Sequence, residues 1–274
     1  SRVGAVTSAL GFASTDLLIE HLRASHYSRL HRRVIEELIE EDTHFFRDFP
    51  AFKFMRHTAI PRLLDAKKEN REINIWCAGC SSGQEAYSIA IMVKEAIPGL
   101  SDWNVKIIGT DISTTLLERA EEGKYSQHEV NRGLPASLLL RNFDKMGIHW
   151  IVKKEHRDRV EFRHLNLIEP WVGLPTLDII FLRNVLVYFQ ADALRNVTRQ
   201  LAAHMHEGTY LYLGQTEDSP DPELLKLTAE KNTGCYQLIG EEERREAAAA
   251  LPMPTPAPVP ELGEEEAVAP PAPV

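Results

Sequence analysis

Between residues 71 and 240 the apolar positions follow two alternating rhythms. Short runs rich in β-branched, aromatic and other apolar residues occur at 73–77, 105–110, 160–165, 177–182, 209–213 and 235–239, and these read as strands. Between them, apolar residues three and four apart mark helices. Ala86, Ile89, Ala90, Val93 and Ile97 share one face of a helix that runs from Glu85 to a Pro98-Gly99 stop, and Ala191 to His204 repeats the pattern. Ser113 is the expected cap of a further helix reaching Ala120. Residues 124–150 are expected to be helical and irregular, around Leu134-Pro135 and Leu138 to Phe143. The run at 177–182 suits a strand covered on both faces, and strands alternating with helices predict an α/β fold: a doubly wound, mostly parallel sheet with helices on both sides. In such a fold a ligand belongs at the carboxyl ends of the strands, where the strand order reverses.

Nearer the start, Leu17, Leu18, Leu22, Leu30, Val34 and Leu38 fit an amphipathic helix or a helical pair. The same stretch carries Arg23, Arg29, Arg32 and Arg33 with His21, His26 and His31. It is expected to be either a solvated helix face or a basic surface that meets an acidic partner.

Charge and composition alter the picture at the other end. Residues 241–274 hold eight acids against two bases, −6 of the chain's −9, together with 8 of its 16 prolines. Alternating X-Pro from Pro252 to Pro260 favours extended geometry and cannot bury a core. The expected division is therefore a short helical region (1–65), an α/β domain (66–240) and a Pro/Ala/Glu-rich disordered linker or tail (241–274), which either joins a further module or partner or is simply a disordered tail. A body carrying only −3 has no basic stripe, which disfavours nucleic acid. The 43% hydrophobic and 26% charged content excludes wholesale disorder. No apolar run approaches the ~18–20 residues of a membrane span. The opening residues lack a signal peptide's ordered regions and a Met, so a trimmed N-terminus is expected. Three cysteines fit a reducing cytoplasm, the expected location.

The chemistry concentrates after the first strand, in Gly79-Cys80-Ser81-Ser82-Gly83-Gln84-Glu85. Two glycines four apart let the chain bend sharply beside a helix N-terminus with free amides. The spacing is not G-x-G-x-x-G, which disfavours NAD. Asp111, ending the second strand, is placed to accept hydrogen bonds from a ribose. A glycine turn plus a second-strand acid points to a nucleoside-bearing cofactor. Cys77 and Cys80 form a C-x-x-C, but zinc needs two further ligands and no second pair exists, so no metal site is expected.

Six strings then fall in order: Thr43-His44-Phe45-Phe46-Arg47, Gly83-Gln84-Glu85-Ala86-Tyr87-Ser88, Gly109-Thr110-Asp111-Ile112, Asn166-Leu167, Arg183-Asn184-Val185-Leu186-Val187-Tyr188-Phe189 and Gly214-Gln215-Thr216-Glu217. Over about residues 40 to 240 the chain resembles the chemotaxis receptor methyltransferase family, CheR. The resemblance implies a Rossmann-like class I methyltransferase sheet. It implies transfer of a methyl group from S-adenosylmethionine (SAM), leaving S-adenosylhomocysteine, to glutamate side chains on chemoreceptor helices. Cofactor contacts carried over fall on Thr43, Arg47, Glu85, Asp111, Asn166, Leu167, Asn184 and Val185. Glu85 suits the methionine ammonium, Asp111 the ribose, and Asn166 with Leu167 the adenine. Arg47 and Tyr188 are the expected catalytic pair, orienting the acceptor carboxylate, while Phe45 and Phe46 are expected in the core. A methyltransferase with another acceptor and an idle SAM-binding adaptor are the alternatives. The pattern departs from the family at Glu41, where Asn is usual, at Gln84 and Ala86 in the family's G-E-E-P-Y-S, and at Leu182, where Cys is usual. The region ahead of Thr43 is also shorter than the family's helical domain.

Overall fold

The structure, a computed structural model, describes residues 2–25, 28–39, 42–228 and 231–240. The tail expected over 241–274, together with Glu41 and His26, lies outside the described residues.

Three helices come first: α1 (Arg2–Ala9), α2 (Thr15–Ala24) and α3 (Arg29–Leu38). They close on one another through Val6, Leu18 and Val34, so the apolar spacing of residues 17–38 resolves as a helical pair with α1 laid against it. Ser14 caps α2 by accepting the Leu17 N–H at 3.3 Å. The next helical run is α4 (Phe49–Phe54), a π-wound turn (Met55–Ala59) and α5 (Ile60–Ala66). Pro61, without an N–H to donate back, sits where the ladder changes winding.

The chain then enters the alternating region: β1 (Glu72–Ala78), α6 (Gln84–Ala96), β2 (Asn104–Asp111) and α7 (Thr114–Glu122). An inserted segment follows, β3 (Lys124–Ser126), α8 (Gln127–Asn131), α9 (Ala136–Asn142), β4 (Phe143–Met146) and β5 (His149–Val152). After α10 (Lys154–Arg157) come β6 (Val160–His164), β7 (Ile179–Phe181), α11 (Ala191–His204), β8 (Tyr210–Tyr212), β9 (Leu225–Leu227) and β10 (Cys235–Leu238). The main sheet has seven strands in the order β6-β2-β1-β7-β8-β10-β9. Its first five pair in parallel, and β10 runs antiparallel to both of its neighbours. The order reverses between β1 and β7.

Both faces of this sheet are covered, and the strands' side chains divide between them by period two. Ile73, Ile75 and Cys77 with Ile179, Phe181, Tyr210 and Tyr212 enter one core with α4, α5 and α6. Trp76, Ala78, Ile180 and Leu211 enter the other with α11 and Trp171. That is why β7 and β8 read as unbroken apolar runs and β1 as one broken only by Asn74 from Ile73 onward. Phe45 and Phe46 are buried as expected.

The expectation for 124–150 needs correction. Two short helices are present, but β3, β5 and β4 form a separate antiparallel sheet in the order β3-β5-β4. Each strand has three or four residues, and β4 buries only Phe143, so no alternation long enough to detect develops. Strand β9 was likewise not expected. Among the described residues no helix is long and apolar enough to cross a membrane.

Candidate active site

The turn after β1 winds through left-handed backbone at Gly79 (φ 67°), Ser81 (φ 50°) and Gly83 (φ 93°). A Cβ on Gly79 would stand 2.5 Å from Cγ2 of Val185, so only glycine lets this turn and the segment after β7 approach so closely. Asp111 ties the turn to the end of β2. Its Oδ2 accepts the Ser81 N–H at 2.8 Å and its Oδ1 the Ser113 N–H at 3.0 Å. Burial pushes its carboxyl above the ordinary range, against the opposing pull of these amides. Ser113 caps α7, accepting the Leu116 N–H at 3.0 Å.

A second charged cluster spans β7 and the segment ahead of α4. The Arg183 side chain is buried, and its Nη1 donates to Glu85 Oε2 at 2.5 Å while Nη2 donates to Asp48. Its guanidinium lies 5.9 Å from the Phe52 ring centre. Asp48 reaches it because the backbone is left-handed there (φ 55°). Phe46, also left-handed (φ 50°), donates its N–H to Ser88 Oγ on α6 at 3.0 Å. Between them, Arg47 donates to the Asp42 carbonyl at 2.8 Å and stands 3.7 Å from its carboxylate. Arg132 takes that carboxylate at 2.6 Å and, by its hydrogen bond above all, holds the Asp42 carboxyl below the ordinary range.

The third cluster is organised by Glu217, only 7% exposed. Its Oε2 accepts the N–H of Asn184 at 2.6 Å and of Gly214 at 2.7 Å. Its Oε1 accepts the N–H of Val185 and of Leu186, both at 2.9 Å. One carboxylate thus fixes the segment after β7, including the left-handed Asn184 (φ 59°), and leaves Tyr188 66% exposed at its end.

The three clusters surround one cavity of about 700 Å³. Thr43, Arg47, Glu85, Asp111, Asn166, Leu167, Asn184, Val185 and Tyr188 all line it, so the expected cofactor and catalytic residues are brought together. Ile112, Leu116, Leu165 and Leu167 make its apolar part, joined by Val34, Ile35 and Leu38 of α3. Asn166 is turned partly outward, its Nδ2 donating to Glu169 at 3.2 Å. Arg183 and Glu217 stood in the quoted strings without a role. A charge directly after a strand buried on both faces was the available signal for Arg183, because such a charge must be paired. Cys77 and Cys80 are buried, and burial raises both thiols well above their ordinary range.

The chain is similar to several known proteins. Residues 41–233 match the family described as CheR methyltransferase, SAM binding domain. The chain is 33% identical over 221 residues to chemotaxis protein methyltransferase Cher2 of Pseudomonas putida, covering 79% of this chain and 80% of that one. It is 34% identical to chemotaxis protein methyltransferase 1 of Pseudomonas aeruginosa, with the same coverage. With the chemotaxis protein methyltransferase of Borreliella burgdorferi it shares 33% over 226 residues, 79% of this chain and 78% of that one. A solved SAM-dependent methyltransferase from Methanosarcina mazei aligns at 16% identity over 53% of this chain and 55% of that one, with a TM-score of 0.33. The match over residues 41–233, with relatives about a third identical over 79% of the chain, places this chain in the CheR family of SAM-dependent methyltransferases.

Proposed function

We propose that this chain methyl-esterifies glutamate side chains on the cytoplasmic helices of chemoreceptors. The observation that carries it is the cavity at the carboxyl edge of the sheet, with buried Asp111, half-buried Glu85, Arg47 and Tyr188 among its lining. SAM supplies a methyl group on a sulfonium, electrophilic enough for direct displacement by a carboxylate. The donor set fits this cosubstrate. Glu85, already paired with Arg183, offers an anion to the ammonium. Asp111 keeps lone pairs for ribose hydroxyls, and Leu165, Leu167, Ile112 and Leu116 give the purine an apolar bed beside Asn166.

A glutamate is ionised at neutral pH, so the protein need not supply a strong base. Its task is alignment and exclusion of water. Arg47 is suited to orient the acceptor carboxylate. Asp42 fixes its position while sharing its own charge with Arg132, so the guanidinium keeps positive charge for the substrate. Tyr188 offers a hydroxyl at the mouth. Arg23, Arg29, Arg32 and Arg33 are exposed on α2 and α3, a basic face suited to a glutamate-bearing helix. In this reading residues 1–65 serve acceptor docking and 66–240 catalysis. The relatives' shared name, chemotaxis protein methyltransferase, supports the same acceptor class.

The test is labelled-methyl transfer from SAM to receptor cytoplasmic fragments, with the bound label released by mild alkali as an ester requires. Arg47→Ala and Tyr188→Phe should lower turnover while leaving binding of S-adenosylhomocysteine largely intact for Tyr188→Phe. An enzyme that binds SAM yet labels no receptor fragment would overturn the acceptor assignment.

A further inference from the structure

The cavity has a wall that does not belong to the α/β sheet. Val34, Ile35 and Leu38 of α3, with Ile39 after it, line the cavity alongside Ile112, Leu116 and Asp111. One residue of that helix, Glu36, reaches across to the N-terminus of α7. Its Oε1 accepts the Thr114 N–H at 2.9 Å, the Thr114 hydroxyl at 3.2 Å and the Thr115 N–H at 3.5 Å. Its Oε2 accepts the Ser113 hydroxyl in a short contact. Ser113 in turn donates its N–H to Asp111, and Asp111 accepts from Ser81 in the glycine turn. An unbroken chain of hydrogen bonds therefore runs from α3 through the second-strand acid to the turn after β1. An anion placed over the first turn of α7 is also favoured by the helix dipole.

We propose that Glu36 is a positioning residue for the cofactor, latching α3 over the cavity and holding the Ser113–Asp111 loop in its binding geometry. This rests on the cavity being the SAM site. Its chemical requirement is specific. Three of the four donors face Oε1, and the fourth is a hydroxyl that can accept as readily as it donates. A glutamine oriented with its oxygen at the Oε1 position can donate its amide to Ser113 Oγ and keep the latch. An alanine cannot.

The experiment is calorimetry and stopped-flow dissociation of S-adenosylhomocysteine from wild type, Glu36→Gln, Glu36→Ala and Asp111→Ala, at a temperature where melting curves show all four folded. Glu36→Ala should weaken binding about tenfold or more, equivalent to ~1.4 kcal/mol, through faster dissociation. Glu36→Gln should stay within about threefold of wild type, the size expected when a neutral acceptor replaces a charged one. In turnover, Glu36→Ala should raise the KM for SAM and leave kcat nearly unchanged, a split that mere loss of fold would not produce. Equal affinities and off-rates for wild type and Glu36→Ala would overturn the latch. Equal and severe losses in Glu36→Gln and Glu36→Ala would overturn its chemical basis. Wild type that fails to bind at all would instead sink the reading of the cavity, a result distinct from either.

Discussion

Glutamine in place of Glu217 is the sharpest perturbation of this site, because its cost follows from counting donors. All four groups that face the carboxylate are backbone N–H groups: Asn184 and Gly214 on Oε2, Val185 and Leu186 on Oε1. An amide has one accepting oxygen, so either orientation of the substituted side chain turns an NH₂ toward two buried donors. Leaving a buried donor unmet costs about 1–3 kcal/mol, which gives about 2–6 kcal/mol for the pair. In a domain of this size, with ~2–4 °C of melting temperature per kcal/mol, the midpoint should fall by roughly 5–20 °C. The same segment carries Asn184 and Val185 into the cavity and ends at Tyr188, so S-adenosylhomocysteine affinity should fall even well below the melting range. Circular dichroism melts and calorimetry at low temperature measure the two effects separately. A Glu217→Gln protein that melts within about 1 °C of wild type and binds the product equally well would refute the reasoning. Glu36→Gln is the built-in contrast: the same substitution is expected to be mild there because the partner facing Oε2, Ser113, is a hydroxyl that can accept as well as donate.

Three further outcomes follow from particular contacts. Gly79→Ala should abolish cofactor binding, and Val185→Ala should restore part of it in the double variant by removing the methyl 2.5 Å from the new Cβ; the loss left unrecovered measures the ~1–2 kcal/mol left-handed penalty at φ 67°. Arg183→Met leaves the Glu85 and Asp48 carboxylates without their cation and should cost about 3–5 kcal/mol in urea unfolding, with product binding lost as Glu85 shifts. Burial holds the His156 imidazole, bonded to Asn142 Oδ1 at 2.9 Å, down at about 4 against an unfolded value of 6.5. Below pH 6.5 the unfolded chain therefore takes up a proton that the folded chain refuses, so stability should fall as pH drops from 6.5 toward 4, by on the order of 3 kcal/mol, and level off below; His156→Gln should remove that decline in pH-dependent urea melts.

What could be read in the sequence, and what could not, divides along physical lines. Strand β7 was legible because burial on both faces leaves Ile179, Ile180 and Phe181 in an unbroken apolar run, and β1, β2 and the edge strand β6 because β-branched and aromatic residues recur in each, broken by Asn74, Lys106, Glu161 and Arg163. α6 and α11 were legible because a helix covering one sheet face must repeat its apolar residues at three and four. The β3-β5-β4 sheet was not, since strands of three or four residues with one or two buried side chains each leave no periodic trace. At the site, the residues that meet the cavity were legible as motif positions. The residues that hold those in place were less so. Gly214 apart, three positions from Glu217, Glu217 and Arg183 act through partners 31 to 135 positions away, and Glu36 through Ser113 and Thr114, 77 and 78 positions on. Nothing local in a chain marks a carboxylate whose donors arrive only when the fold closes.

Most of the strained backbone of this protein and a group of its buried or half-buried charges, though not Asp178 with Lys67, occupy the same place for one reason. Among the described residues five non-glycine positions have positive φ, and four of them, Phe46, Asp48, Ser81 and Asn184, lie in the segments that frame the cavity. Each is held by a polar bond from its own backbone or side chain: Phe46 N–H to Ser88, the Asp48 carboxylate to Arg183, Ser81 N–H to Asp111, Asn184 N–H to Glu217. A left-handed non-glycine residue costs energy that a loose loop would release by relaxing. Here hydrogen bonds, three of them charge-assisted and all stronger in a dry interior than in water, oppose that relaxation at each point. The stored strain and the charges that oppose it define a cavity rigid before any ligand arrives. That is the condition under which binding free energy is spent on aligning two reacting atoms rather than on ordering the protein around them.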